Sequence, residues 1–295
     1  EISNLTKIIQ PNFVLITGVA AVHIAHFGNI EAIAKAKCEI PEGLINDGVV
    51  VLNADDKLLQ DTYKEIWGEK FKVKTFGKSD LSDVKVLKTK PLGLSGIEVE
   101  ILLAGEKVEL KLSTPGEHNA INAAAALCSV LLFYPQADIA ELANALKRFV
   151  PPLMRLNILP LKGGRQLVDD SYNANPYSMK ALLKIAQQEM QLGKKVCLIL
   201  GDMLELGREA KDRHSELAKQ VSELKPEYFI AVGEYADLMS QIVKESGVKS
   251  FVAESPESAA HTALKINVDL IMIKASRGVG LDRASKIILD KEGLN

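Results

Sequence analysis

No G-x-x-x-x-G-K-[S/T] phosphate loop occurs in this 295-residue sequence, and no G-x-G-x-x-G follows any candidate strand. The first absence argues against a self-contained nucleotide hydrolase and the second against a dinucleotide oxidoreductase, because each needs a glycine-lined backbone cradle for phosphate. Cysteine is scarce: Cys38, Cys128 and Cys197 lie far apart and form no C-x-x-C pair. That argues against a disulfide framework or structural zinc and for a reducing, cytoplasmic setting. The formal net charge of -2 gives no electrostatic case for nucleic acid or an anionic membrane as partner. No apolar run approaches the ~20 residues needed to cross a bilayer, so no membrane insertion is expected. Glu1-Ile2-Ser3-Asn4-Leu5 lacks the basic-then-apolar pattern of a secretory signal. The missing initiator Met suggests a processed chain or an excised fragment. Internal repeats and low-complexity segments are also absent.

Apolar residues, 47% of the sequence, suffice for the cores of about two domains. In the first half, Asn12–Val22 reads as a buried strand, Asn29–Ile40 as an alanine-rich helix and Gly48–Asn53 as a second buried strand. Short strands are expected at Val73–Phe76 and Val84–Leu87. Apolar residues alternate at Ile97, Val99, Ile101 and again at Val108, Leu110, Leu112, with Gly105-Glu106 between, which predicts an antiparallel hairpin. Helices follow over Asn119–Phe133 and Asp138–Phe149. Pro151-Pro152 then breaks the chain, placing a domain boundary between 1–151 and 152–295. Beyond it, strands at Leu167–Asp169, Val196–Leu200, Tyr228–Val232, Ser250–Val252 and Leu270–Ile273 alternate with helices starting near Pro176, Glu209, Ala236, Pro256 and Gly280. Repeated βα units predict an α/β fold whose second domain is Rossmann-like, with a mostly parallel sheet.

The densest polar motif is Asp169-Asp170-Ser171-Tyr172-Asn173-Ala174-Asn175-Pro176, which runs from a strand end into a helix start. An Asx turn with a capped helix would need only one or two of these side chains. Ligands of open α/β sheets bind at carboxyl ends of strands, so the surplus reads as a binding site. Gly201-Asp202-Met203-Leu204-Glu205-Leu206-Gly207 forms a second acidic strand-end loop, and Lys274-Ala275-Ser276-Arg277-Gly278 a third, carrying cations suited to a carboxylate or phosphate. In the first half, His23 and His26 follow a strand end, where imidazoles can meet a metal or phosphate, although packing or surface roles are the commoner case. Lys35 and Lys37 read as a solvated helix face, with at most one able to turn inward. Asn119 could cap its helix, and Asn122, three residues on, would share its face and could read a base edge.

These motifs, in this order, resemble the Mur ligases of bacterial cell-wall synthesis. The pair Asp169–Pro176 with Ser178-Met179 and Gly201–Gly207 resembles the member that adds a D-alanyl-D-alanine dipeptide. His118-Asn119 with Asn122, Lys274–Gly278 and Ala34-Lys35-Ala36-Lys37 add to the likeness. It implies an N-terminal UDP-binding domain, a central ATPase-like domain and a C-terminal Rossmann-like domain, with Glu1 falling inside the central one beyond its phosphate loop. The chain is then expected to be an incomplete portion, inactive alone.

The implied reaction is ATP-dependent amide formation through an acyl phosphate, with Mg2+ clamping the phosphates. The implied substrates are UDP-N-acetylmuramoyl-tripeptide and D-alanyl-D-alanine, acted on by a cytoplasmic monomer. By position, His23 resembles the magnesium-binding histidine and Lys37 the lysine whose carbamate would supply metal-facing oxygens. Asn119 and Asn122 resemble adenine contacts, Arg155 the arginine meeting the phosphates at the domain junction, and Asp170 the aspartate near the ribose. Tyr172, Asn173, Asn175, Lys274, Ser276 and Arg277 are expected to line the cleft where nucleotide and dipeptide meet. The sequence departs from the pattern at Gly18, where asparagine is usual, at Cys38 and Ala275, where glycine is common, and at Met154, where a small residue precedes the arginine. A non-catalytic nucleotide- or peptide-binding paralogue is the competing expectation.

Overall fold

The computed structural model describes residues 1–20 and 27–294. The chain forms two compact units, Glu1–Phe149 and Val150–Asn295, each with its own sheet. In the first, β1 (Phe13–Ile16), β2 (Val49–Asn53), β3 (Lys72–Gly77) and β4 (Val84–Pro91) run parallel in that order. The sheet continues antiparallel through β5 (Ile97–Leu103) and β6 (Glu106–Leu112). The hairpin turn falls at Ala104-Gly105, both with positive φ (50° and 87°), one residue before the predicted Gly105-Glu106. Two left-handed residues give the tight turn whose twist matches its flanking strands.

One face of this sheet is covered by α4 (His118–Phe133), whose alanines Ala120, Ala123 and Ala124 let the helix approach Phe76, Ile97 and Ile101 closely. The other packs Val50 and Leu52 against Cys38, which ends α2 (Ile30–Lys37), and against Leu59 and Tyr63 of α3 (Lys57–Trp67). Among the described residues, two α-helices of this unit were not anticipated: α1 (Ile2–Ile9) and α3, which Asp56 caps through the Leu59 N–H. The predicted first strand is shortened to four residues, because the chain leaves the sheet at Gly18, whose φ of +155° suits glycine alone. The final residues of that predicted strand, with His23 and His26, lie outside the described residues.

In the second unit, β8 (Gln166–Asp169), β9 (Val196–Gly201), β10 (Tyr228–Val232), β11 (Lys249–Ala253) and β12 (Leu270–Lys274) are parallel, in the order β11-β10-β9-β12-β8. An unpredicted antiparallel strand, β7 (Asn157–Pro160), closes the edge beside β8. Every residue of β9 and β12 is buried, as expected for central strands with helices on both faces. The last strand in sequence therefore sits between β8 and β9, which makes neighbours of three loops more than 30 residues apart.

Candidate active-site loops

The loops after β8, β12 and β9 interlock through short contacts. Lys274, at the end of β12, is 3% exposed; its Nζ donates to Asp170 Oδ2 (2.6 Å) and to the Asn173 carbonyl (2.8 Å). Burial lowers the Lys274 ammonium and raises the Asp170 carboxyl, each partly opposed by attraction to the other. Asp170 Oδ1 accepts the Leu156 N–H (3.2 Å), and Tyr172 N–H donates to the Met154 carbonyl (3.1 Å). These two bonds tie down a bend in which Met154 and Leu156 are both left-handed, with φ of 63° and 53°. Such strain costs roughly 1–2 kcal/mol per non-glycine residue and persists only where surroundings over-determine it. Between them, the Arg155 guanidinium lies 4.0 Å from the centroid of the exposed Tyr172 ring. Arg277 is exposed and meets Asp282 at 3.2 Å and Met154 Sδ at 3.0 Å.

Ser276 is buried at the junction of all three loops. Its N–H donates to the Asp202 carbonyl (2.9 Å), its Oγ accepts the Leu204 N–H (2.9 Å) and lies 3.3 Å from the Ala174 carbonyl. Ala275 fits because Gly201 faces it: a Cβ at Gly201 would come within 2.8 Å of the Ala275 Cβ. The plain turn chemistry is also present. Asp169 Oδ1 accepts the Ser171 N–H and hydroxyl, and Asn175 caps α6 (Pro176–Gln191) in a capping box with Ser178. The loop is thus both an Asx turn with a capped helix and a display of groups beyond that need, with Tyr172 and Asn173 exposed.

In the first unit, Lys35 is exposed and Lys37 half-buried, so one of the two turns inward. Lys37 Nζ donates to the Gly18 carbonyl, and burial lowers its ammonium against the raising effect of Asp56. Asp56 is committed to the Val19 and Leu59 N–H groups. Cys38 beside it is buried, its thiol pushed up to about 11, so it is inert packing. Among the described residues, no cluster of three or more His, Cys, Asp or Glu could hold a metal. Asn119 is not the helix cap: the helix begins one residue earlier, and Asn119 Nδ2 donates to the Pro115 carbonyl (2.7 Å). Asn122 Nδ2 lies 3.4 Å from Asn119 Oδ1, and both line a cavity of about 120 Å³ walled by Leu112, Ala123, Leu146 and Phe149.

Sequence reasoning missed His214 on α7 (Ala210–Leu224), which accepts the Met203 N–H of the β9 loop. Its signal was available: His214, Leu217, Ala218 and Val221 recur at helical spacing, which puts the imidazole on the buried face.

Polar and charged loops thus stand at three adjacent strand ends of the second unit, and an apolar, amide-lined cavity lies in the first. Residues 1–130 match the Mur ligase middle domain and residues 154–277 the Mur ligase glutamate ligase domain. The chain belongs to the Mur ligase family. It is 31% identical to the UDP-N-acetylmuramoyl-tripeptide–D-alanyl-D-alanine ligase of Bacillus subtilis over 98% of this chain and 62% of that protein. The Escherichia coli enzyme of the same name is 29% identical over 98% of this chain and 62% of its own length. The chain therefore spans about three fifths of these relatives. The fold is shared with MurF from Acinetobacter baumannii (TM-score 0.84, 24% identity, 99% of this chain and 62% of that one). It is shared also with Thermotoga maritima MurF in complex with ADP (TM-score 0.76, 24% identity, 98% and 64%).

Proposed function

We propose that the complete gene product is an ATP-dependent ligase joining D-alanyl-D-alanine to UDP-N-acetylmuramoyl-tripeptide, a cytoplasmic step of peptidoglycan precursor synthesis carried out by a monomer. The observation that supports this best is the insertion of β12 between β8 and β9, which gathers Asp170, Tyr172, Asn173, Ser276 and Arg277 at one sheet edge. In such a reaction the acid substrate is activated as an acyl phosphate, the dipeptide amine attacks its carbonyl, and the tetrahedral adduct expels phosphate.

Asn119 and Asn122 suit an adenine edge: their amides stand in an apolar slot, as a flat heterocycle with polar rims requires. The Arg155 guanidinium, held over the Tyr172 ring, suits a phosphate, and Asp170 a ribose hydroxyl. Lys274 and Ser276 are engaged within the protein, so they serve the acceptor by holding Asn173, Asn175 and Arg277 in register. Exposed Arg277 is the group suited to the dipeptide carboxylate. Bound ATP would supply the phosphoryl group and Mg2+ its charge neutralisation. His23 and Lys37 are the residues we assign to the metal, Lys37 as a carbamate. Its half-buried nitrogen with lowered basicity suits addition to CO2 with loss of a proton.

The test is phosphate release by the complete gene product given ATP, the nucleotide-linked tripeptide and D-alanyl-D-alanine. Release that requires the dipeptide supports the ligase. Nucleotide binding without dipeptide-dependent release would instead establish a non-catalytic binding paralogue.

A further inference from the structure

The Gly201–Gly207 loop is held from two sides. On one side the Asp202 carboxylate accepts the N–H groups of Glu234 (2.6 Å) and Tyr235 (3.1 Å), at the turn after β10. Gly233 is required there: its φ is +114° and a Cβ would come within 2.2 Å of Asp202 Oδ2. On the other side stands His214, fully buried and stacked on Tyr235 with ring centroids 4.3 Å apart. Its Nε2 accepts the Met203 N–H at 2.9 Å. That bond fixes the tautomer, because Nδ1 must then carry the proton that reaches the Ala210 carbonyl at 2.6 Å. Asp202 Oδ1, 3.7 Å from Nε2, is too distant to share it. Met203 is the residue between the two that grip Ser276, Asp202 by its carbonyl and Leu204 by its N–H. A histidine that merely filled the core would be replaceable by any ring of its size. Here such a replacement leaves a buried N–H without an acceptor in the middle of the grip.

We propose that His214 is a positioning residue of the acceptor site: by accepting the Met203 N–H it fixes the loop that seats Ser276, and through Ser276 the orientation of Arg277. The proposal rests on reading these strand-end loops as the dipeptide site. Two variants separate the acceptor role from packing. His214→Phe keeps a ring against Tyr235 and removes the acceptor, whereas His214→Gln offers an amide oxygen near the place of Nε2.

In this chain, His214→Phe should speed hydrogen exchange at Met203 and shift the Ser276 and Arg277 amide resonances, and His214→Gln should restore both. In the complete gene product, His214→Phe should raise the KM for D-alanyl-D-alanine about tenfold and leave the KM for ATP within about twofold, with recovery in His214→Gln. Unmoved Arg277 resonances, or equal losses for both substrates, would overturn the proposal. Should His214→Phe not fold, Gly233→Ala displaces the same loop from the Asp202 side, and an unchanged dipeptide KM in that variant would overturn it equally. If the unmodified gene product forms no amide, the functional reading fails by itself, and the positioning role is then decided by the Met203 exchange and Arg277 shifts alone.

Discussion

Replacing Lys274 with methionine tests the central contact of the site. The side chain is 4% exposed and its partner Asp170 16%, so neither group is screened by water. The variant leaves Asp170 with the Leu156 N–H and removes the donor to the Asn173 carbonyl. Stripping one partner from a buried pair costs about 3 kcal/mol or more. For a unit of this size that lowers the midpoint of thermal unfolding by roughly 6–12 °C. The pH dependence gives the mechanism away. Burial already holds the Asp170 carboxyl above its ordinary range, and loss of Lys274 raises it further. A carboxyl whose folded value is raised binds more protons folded than unfolded, so stability falls as pH rises through that value and returns on acidification. Calorimetry of Lys274→Met should therefore show a deficit at pH 7 that shrinks towards pH 5. The double variant Asp170→Asn, Lys274→Met has no buried charge to neutralise and should lie within about 1 kcal/mol of the parent. A Lys274→Met protein of parental stability, or a double variant less stable than both singles, would show that this pair does not hold the loop.

His214 predicts an acid limit. Burial holds its imidazole below the ordinary 6.5, so the unfolded chain takes up a proton at higher pH than the folded one. The stability this contributes is complete above pH 6.5 and lost as pH falls below it, which urea titrations from pH 7.5 to 5 would reveal as a decline missing in His214→Gln. Asn122→Ala should weaken adenine-nucleotide binding about tenfold with little change in unfolding midpoint, measured by calorimetric titration; unaltered affinity would move the base elsewhere. In the complete gene product, Lys37→Ala should abolish most ligation, with partial rescue by added short carboxylates. An unchanged rate would return Lys37 to a structural role.

Elements with strong local signals were legible in the sequence. The βα alternation after Pro152, the hairpin around residue 105 and the alanine-rich helix over 119–133 follow from periodicity and turn residues that act locally. Helix Lys57–Trp67 was missed although its signals were present: Asp56 caps it, and Leu59, Thr62 and Tyr63 recur at helical spacing on its buried face. The edge strand Asn157–Pro160 offered too short a run to read. At the site, residue types were visible but not their partners. Lys274 looked like a cation for a ligand, yet its charge meets Asp170, since no local rule reports that β12 lies beside β8. His214 escaped because its function depends on a loop that reaches it only in the folded sheet.

The place of β12 has a consequence for how the protein is made. During synthesis β8 and β9 emerge long before Leu270–Lys274, and each must wait with an unpaired edge for the strand that joins them. The second unit therefore cannot fold progressively from its N-terminal end. It closes late, through contacts of long sequence separation, which are the slow and aggregation-exposed kind. The same step that zips the sheet delivers Lys274 to Asp170 and Ser276 to its neighbours. Sheet closure and the meeting of the three strand-end loops are therefore one event.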